Sequence, residues 1–292
     1  MDWQPQLIQL YLFIDQQYES NIRWICERES PNKCPSFCDR EVLTIYLWGL
    51  MQGNTTKKQI HSMTEQHLAE WFPLLPRYGQ FVARLNALSG ALVPLLDWLV
   101  EPPNGEEPSH YVMDSMPIVL VQSTRTRKAQ WGADWSKRGY CATKKSFFYG
   151  LKLHALALQR PKQLPALQGV YFTPAHVADV KVLQEIAPCL QQCFLDADRA
   201  YCDQTLKAQL QKQGGDLQTP IKRKPKAPPL TDKQKTYSKN ISKRRQPIEA
   251  LFAWIQQKTH IQEASLVRSL QGLLIHLLGR LTVTMYLLKV QS

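Results

Sequence analysis

Apolar positions recur at helical spacing over the first third of the chain. In residues 4–30, Leu7, Leu10, Tyr11, Ile14 and Tyr18 fall on one helical face, and Ser30-Pro31-Asn32 ends that helix. Asp39 reads as the N-cap of a second helix carrying Val42, Leu43, Tyr46, Leu47 and Leu50, which stops at Gly53-Asn54. Thr55, Thr56 and Lys57-Lys58 open a short helix through Ile60 and Met63, and Trp71-Phe72-Pro73 ends the next segment. Leu75 to Val100 is again largely helical, with Phe81, Leu85, Leu88, Leu92 and Leu95 in phase. The first 100 residues or so are therefore expected to be all-α. Glu101 to Pro108 holds acids, prolines, Asn104 and Gly105, which marks a surface loop or a boundary, drawn here at residue 105.

Beyond the break the period changes to two. Tyr111-Val112-Met113-Asp114 leads into Ser115 to Val119 as a first strand, Phe147 to Ala155 forms a second, and Val170 to Thr173 a third. Asp179 is expected to cap a helix containing Val182, Leu183, Ile186 and Leu190. A fourth strand ends in Cys193-Phe194-Leu195 and runs into Asp196 and Asp198. Thr205 to Lys212 is a helix stopped by Gly214-Gly215, and Leu217 to Ile221 is a fifth strand. Three strands, helix, strand, helix, strand is the order of a mixed α/β domain over residues 106–292. It predicts a ribonuclease-H-like, five-stranded mixed sheet flanked by helices, with antiparallel strands extended by parallel ones through crossovers. Between Lys222 and Arg245 stand ten Lys or Arg and one acid, Asp232, with Pro225, Pro228 and Pro229, the composition of a solvated linker. A helix comes next, from Pro247 to Ile255, with Ile248, Leu251, Phe252 and Ile255 apolar and Glu249 beside that stripe; the last helix runs from about Leu266 to Leu288.

Charge narrows the class of partner. Thirty-six Lys and Arg against twenty-four Asp and Glu leave a net charge of +12, and clustering of that charge points to nucleic acid. The segment between the first two strands interleaves Arg125, Arg127, Lys128, Lys137, Arg138, Lys144 and Lys145 with Trp131, Trp135 and Tyr140, a mixture suited to backbone contact and base stacking. A solvated hairpin with partly buried tryptophans is the bland counterpart. The opening Met1-Asp2-Trp3-Gln4-Pro5 lacks the order of a signal peptide, and the apolar run from Leu273 to Leu288 is interrupted by His276, Gly279 and Arg280, so no membrane span is expected. Seven scattered cysteines fit a reducing, cytoplasmic setting; Cys26, Cys34 and Cys38 match no common zinc spacing.

Three acids have related contexts. Asp114 ends the first strand, Asp196 or Asp198 the fourth, and Glu249 lies on the helix after the fifth. In the expected sheet the first and fourth strands are neighbours, so their acids converge at the carboxyl edge where α/β sheets place ligands. Oxygen donors of this kind suit Mg²⁺, with Mn²⁺ as an equivalent, and two ions about 3.5–4 Å apart serve phosphoryl transfer. Alternation puts Asp196 and Asp198 on the same side of an extended strand, and Asp198 could equally cap the helix near Tyr201, so spacing leaves the choice open. His154 and Lys152 share a strand face that could meet DNA phosphates, although a hydrogen-bonded structural histidine is the plainer reading.

Four pieces carry a family resemblance: Met113-Asp114-Ser115-Met116-Pro117-Ile118, Tyr149-Gly150-Leu151-Lys152-Leu153-His154, Asp198-Arg199-Ala200-Tyr201, and Arg245-Gln246-Pro247-Ile248-Glu249-Ala250-Leu251-Phe252. In this order and spacing the chain resembles a DDE transposase of a bacterial insertion sequence. The resemblance implies Asp114, Asp198 and Glu249 as catalytic metal ligands for two Mg²⁺ ions, and selects Asp198 over Asp196. It implies that Arg245 helps hold DNA or the catalytic helix, with Lys243, Arg244, Lys152, Arg125, Arg127, Lys128, Lys222, Arg223 and Lys224 as further candidate DNA contacts. Ser242 and Gln256 stand where many relatives carry a tyrosine and a lysine; Lys258 is near enough to substitute. The implied activity is cutting the ends of the element and joining them to target DNA, with double-stranded terminal repeats as partner, a homodimer on paired ends, and a cytoplasmic, nucleoid-associated setting. The helices of residues 1–105 would bind or dimerise around those repeats. A structure-specific nuclease on the same fold and a non-catalytic DNA-binding derivative are the alternatives.

Overall fold

The structure, a computed structural model, describes residues 3–26, 35–100, 109–122, 126, 129, 132–141, 145–222 and 228–291. The expected helix stop at Ser30-Pro31-Asn32, the boundary loop, Cys34, Trp131 and the basic residues Arg125, Arg127, Lys128, Lys144, Arg223 and Lys224 lie outside them. The helices in chain order are α1 (Gln4–Gln17), α2 (Arg23–Cys26), α3 (Asp39–Met51), α4 (Lys57–His67), α5 (Tyr78–Ala87), α6 (Leu92–Leu99), α7 (Asp179–Ile186), α8 (Gln204–Lys212), α9 (Asp232–Thr259) and α10 (Leu270–Gln291). The strands are β1 (Ser109–Gln122), β2 (Lys137–Cys141), β3 (Ser146–Leu158), β4 (Ala166–Pro174), β5 (Cys193–Ala197) and β6 (Asp216–Gln218). Two compact units result: Met1–Leu99 with Ile255–Ser292, and Val100–Trp254. The last helix thus belongs with the N-terminal helices.

In the helical unit Leu7, Leu10 and Ile14 are buried, as their spacing predicts. Asp39 is not the cap of α3. Cys38 holds that position, its N–H donating to Glu41 Oε2 at 2.7 Å, while the Asp39 carboxylate takes two hydrogen bonds from Arg84 at 2.6 and 2.5 Å. Thr56 caps α4, reciprocally with Gln59. By length and composition alone α10 is apolar enough to cross a membrane, but most of it is buried within this unit, as in a core helix. Gly279, read from sequence as an interruption, is where α10 meets α3: a Cβ there would lie 2.4 Å from the Tyr46 ring, and the Tyr46 hydroxyl donates to Ile275 O at 2.9 Å.

The second unit is built on a mixed sheet of the ribonuclease-H-like kind. β1 lies between antiparallel β3 and parallel β5, and β6 extends the sheet beyond β5. β2 and β4 share the far edge of β3, β2 along residues 146–150 and β4 along 151–158. Six strands therefore fill five columns, and the first and fourth expected strands, β1 and β5, are neighbours. β2 escaped the sequence reading because an edge strand of sequence Lys-Arg-Gly-Tyr-Cys buries only Gly139 and shows no apolar alternation. Gly150 lets β3 pass the β1 bulge, since a Cβ there would come within 2.0 Å of Ile118 O. One face of β1 and β5 is covered by α7 and α8 through Tyr111, Met113, Leu183, Leu195 and Leu206.

The basic stretch corrects a second expectation. Instead of a linker reaching a helix at Pro247, α9 is one helix of 28 residues that starts at Asp232 and contains Pro247. Thr231 and Gln234 cap its start, the Thr231 N–H donating to Gln234 Oε1 at 2.9 Å and the Gln234 N–H to Thr231 Oγ1 at 3.4 Å. Ile241, Ile248 and Leu251 are buried along its length, which anchors a strongly charged helix through one apolar stripe.

Candidate active site

The parallel ladder between β1 and β5 ends at the pair Met113 and Ala197. Asp114 and Asp198 are the next residues on the two chains, so both acids emerge side by side where that pairing stops. Asp114 does not end its own strand, as the sequence suggested; β1 continues to Gln122 because β3 pairs with it past Asp114, which faces Ala155. The carboxyl edge is set by the end of β5.

The turn after Asp198 holds that acid in place. Arg199–Tyr201 forms a single 3₁₀ turn that drops Tyr201 into the core, where it is fully buried. The Tyr201 hydroxyl lies 3.3 Å from His154 Nδ1, and His154 Nε2 lies 2.8 Å from Thr173 Oγ1. Burial pushes His154 down to about 4, against the pull of Asp179, so this histidine is a neutral structural link. Asp198 does not cap the next helix. Asp203 does so, accepting from the N–H groups of Thr205 and Leu206 at 2.8 and 3.2 Å.

Asp196 is occupied elsewhere. It is almost fully buried and accepts from Arg244 Nε at 2.8 Å and Nη2 at 2.9 Å, the two-pronged geometry that guanidinium and carboxylate favour. Gln159 joins the pair, donating to Asp196 Oδ2 at 3.3 Å and to the Arg244 carbonyl at 3.2 Å. This clamp ties α9 to the end of β5 and engages Asp196 with Arg244. Sequence reasoning missed it, although the position of Asp196 two residues before Asp198 was a signal that one of them serves structure.

With α9 fixed in this way, Arg245 and Glu249 stand one turn apart on it. Arg245 Nη1 donates to Asp114 Oδ2, and Nη2 donates to Glu249 Oε1 at 2.5 Å. Arg245 Nε is buried without a hydrogen-bond partner. Burial raises Asp114 to about 6; Arg245 and the Ser115 N–H oppose that, while the charges of Asp198 and Glu249 add to it. Three carboxylates therefore share one electrostatic environment with the Arg245 guanidinium among them.

A family model described as the transposase DDE domain matches residues 105–286. The chain belongs to the DDE transposase family. No curated protein matches it. The matched span of this DDE transposase holds all six strands, the acids Asp114, Asp198 and Glu249, and Arg245. Its all-oxygen donors are chemically right for a hard divalent cation, and a cationic group already lies between Asp114 and Glu249. Among the described residues no three acid, histidine or cysteine side chains form a ready-made metal cage.

The other candidate DNA contacts sort by exposure. Lys243 and Lys222 are exposed. Arg244 is held by Asp196, and Lys152 donates to Asp179 Oδ1 at 2.7 Å and Val177 O at 2.8 Å, which ties the start of α7 to β3. Asp179 thus serves as an ion-pair partner, and the N-cap of α7 is Ala178. On the edge formed by β2 and β3, Arg138 lies 3.8 Å over the Phe147 ring, whose centroid is 5.1 Å from that of exposed Tyr140.

Proposed function

We propose that this DDE transposase cuts the ends of an insertion sequence and joins them to target DNA, with Asp114, Asp198 and Glu249 as its catalytic carboxylates. The observation that carries the reading is the meeting of Asp114 and Asp198 at the end of one parallel strand pair, with Glu249 joined to Asp114 through Arg245. Two Mg²⁺ or Mn²⁺ ions held there would activate the attacking oxygen and stabilise the leaving one. The residues of the chain supply the rest. Tyr201 and the Asp196–Arg244 clamp fix the positions of Asp198 and Glu249. Arg245 keeps Asp114 and Glu249 from repelling before a cation arrives, then turns its guanidinium to a DNA phosphate.

DNA lies along the exposed cations Lys243 and Lys222 and along the Arg138, Phe147 and Tyr140 edge, where a charge and two rings suit backbone contact and stacking. Arg125, Arg127, Lys128, Arg223 and Lys224 are further candidate DNA contacts by charge alone. The helical residues 1–105 bind or dimerise around the terminal repeats, because cutting two ends in concert needs two copies of one site, and the setting is the bacterial nucleoid. The test uses end-labelled duplex DNA carrying the inverted repeats that flank the gene, with Mg²⁺. Wild type cleaves and transfers strands; Asp114→Ala, Asp198→Ala and Glu249→Ala each lose both by a factor of about a thousand or more. Full activity in Asp198→Ala removes the assignment, and cleavage without joining converts the enzyme to a nuclease.

A further inference from the structure

The helical unit contains a cavity of about 510 Å³ that the DDE site does not use. Its lining includes Arg280, 3 % exposed on α10, which donates to the backbone carbonyls of Thr259 at 2.7 Å, Thr55 at 2.7 Å and His276 at 3.5 Å. Three carbonyls accept from Arg280 without neutralising its charge, which the Tyr46 hydroxyl and, at longer range, Glu263 partly offset. Beside it Lys57 is half-buried and donates to Asn86 Oδ1 at 2.5 Å. Burial and then the charge of Arg280 push Lys57 down to about 8. Lys58 and Arg268 add two more cations to the lining. The one acid there, Glu263, accepts from Gln256 Nε2 at 3.0 Å and lies 3.1 Å from His260 Nδ1. Among the described residues neither Lys57 nor Arg280 has a carboxylate at ion-pair distance.

Lys58 and Arg268 are exposed, but Arg280 is buried and Lys57 half-buried, and holding two like charges out of water costs free energy that an anion would return. Two features define which anion. Lys57 and Lys58 begin α4, an 11-residue helix, so its positive dipole end adds to the same corner and favours a phosphate. The lining also includes apolar groups, the Tyr78 ring, Val82 and exposed Leu266. The volume lies in the range of small-ligand sites, about 300–1,000 Å³.

We propose that this cavity binds a nucleotide, its phosphate against Lys57, Arg280 and the start of α4, and its base on Tyr78. The nucleotide is either the 5′-phosphorylated end of a DNA strand or a free nucleotide. The site shares no residue with the carboxylate cluster, so Asp198→Ala retains it. The full-length chain is tested with a short fluorescent DNA strand carrying or lacking a 5′-phosphate. The phosphate is expected to tighten binding about tenfold, and Lys57→Met to abolish that difference without changing the thermal unfolding midpoint. In wild type, dAMP and inorganic phosphate are compared for protection of Lys57 from acetylation, read by mass spectrometry, which needs no variant. Protection by dAMP together with phosphate-dependent strand binding supports the site and admits both forms. Strand binding without dAMP protection assigns it to strand ends. Equal protection by inorganic phosphate and dAMP, or no dependence on the 5′-phosphate with no protection by either, overturns it.

Discussion

In the proposed site, Arg245 and Asp114 would set the conditions under which the carboxylates take a cation. A metal ligand must be ionised, and Asp114 titrates near pH 6 because it is buried beside two other acids. Affinity for Mn²⁺ is therefore expected to be level above pH 7 and to fall about tenfold per unit below pH 6. Calorimetric titration between pH 5 and 8 checks this; a flat profile down to pH 5 refutes it. For stability the sign is the reverse of the usual acid. The folded state holds this proton more tightly than the unfolded chain, so the contribution of Asp114 rises as pH falls through 6 towards 4. Arg245→Met removes the guanidinium between Asp114 and Glu249. It should cost about 1–3 kcal/mol at pH 8, and Mn²⁺ should recover more of that than it adds to wild type. Thermal unfolding with and without Mn²⁺ measures both.

At the scale of elements, α9 carries two members of the cluster, Arg245 and Glu249, and its placement rests on contacts outside that cluster. The Asp196–Arg244 pair is half-exposed on the arginine side, so its worth is below that of a fully buried pair. A double-mutant cycle with Asp196→Asn and Arg244→Met is expected to show a coupling of about 1 kcal/mol, with each single variant lowering kcat while KM for DNA stays nearly level. No coupling would mean that the clamp does not position Glu249. Thr231→Ala tests the other end of the helix; loss of that cap should cost about 1 kcal/mol in urea unfolding, against nothing measurable if the start of α9 frays.

For the whole molecule, each unit contains a buried neutral histidine, and the two give a common acid limit. Burial pushes His276 down to about 3 in the helical unit and His154 down to about 4 in the sheet unit. An unfolded histidine titrates near 6.5, so the unfolded chain binds more protons below that pH and stability falls as pH drops from about 6.5 towards 4. The loss is on the order of 2–3 kcal/mol per group. His276→Gln and His154→Gln should each flatten this slope in unfolding measured from pH 7 to 4, even if both are less stable at pH 7. The net charge of +12 adds a second global expectation: DNA affinity should fall steeply and linearly in log–log form with salt.

Much of this was legible in the chain. Helical phase gave the buried stripe of Leu7, Leu10 and Ile14, and the order of periods gave the mixed sheet, because both arise from local geometry repeated along one element. The residues of the family motifs stood in the sequence too. Other features depended on partners far away in the chain. The engagement of Asp196 with Arg244, 48 residues after it, is one of them. That α9 begins at Asp232 turned on an apolar stripe thin enough to be hidden among lysines, and β2 on an edge that buries one glycine. Periodicity records which face of an element is buried; it does not record which charges meet once the elements pack. Asp114 paired with Arg245 across 131 residues is a product of that packing, and tertiary structure alone brought them together.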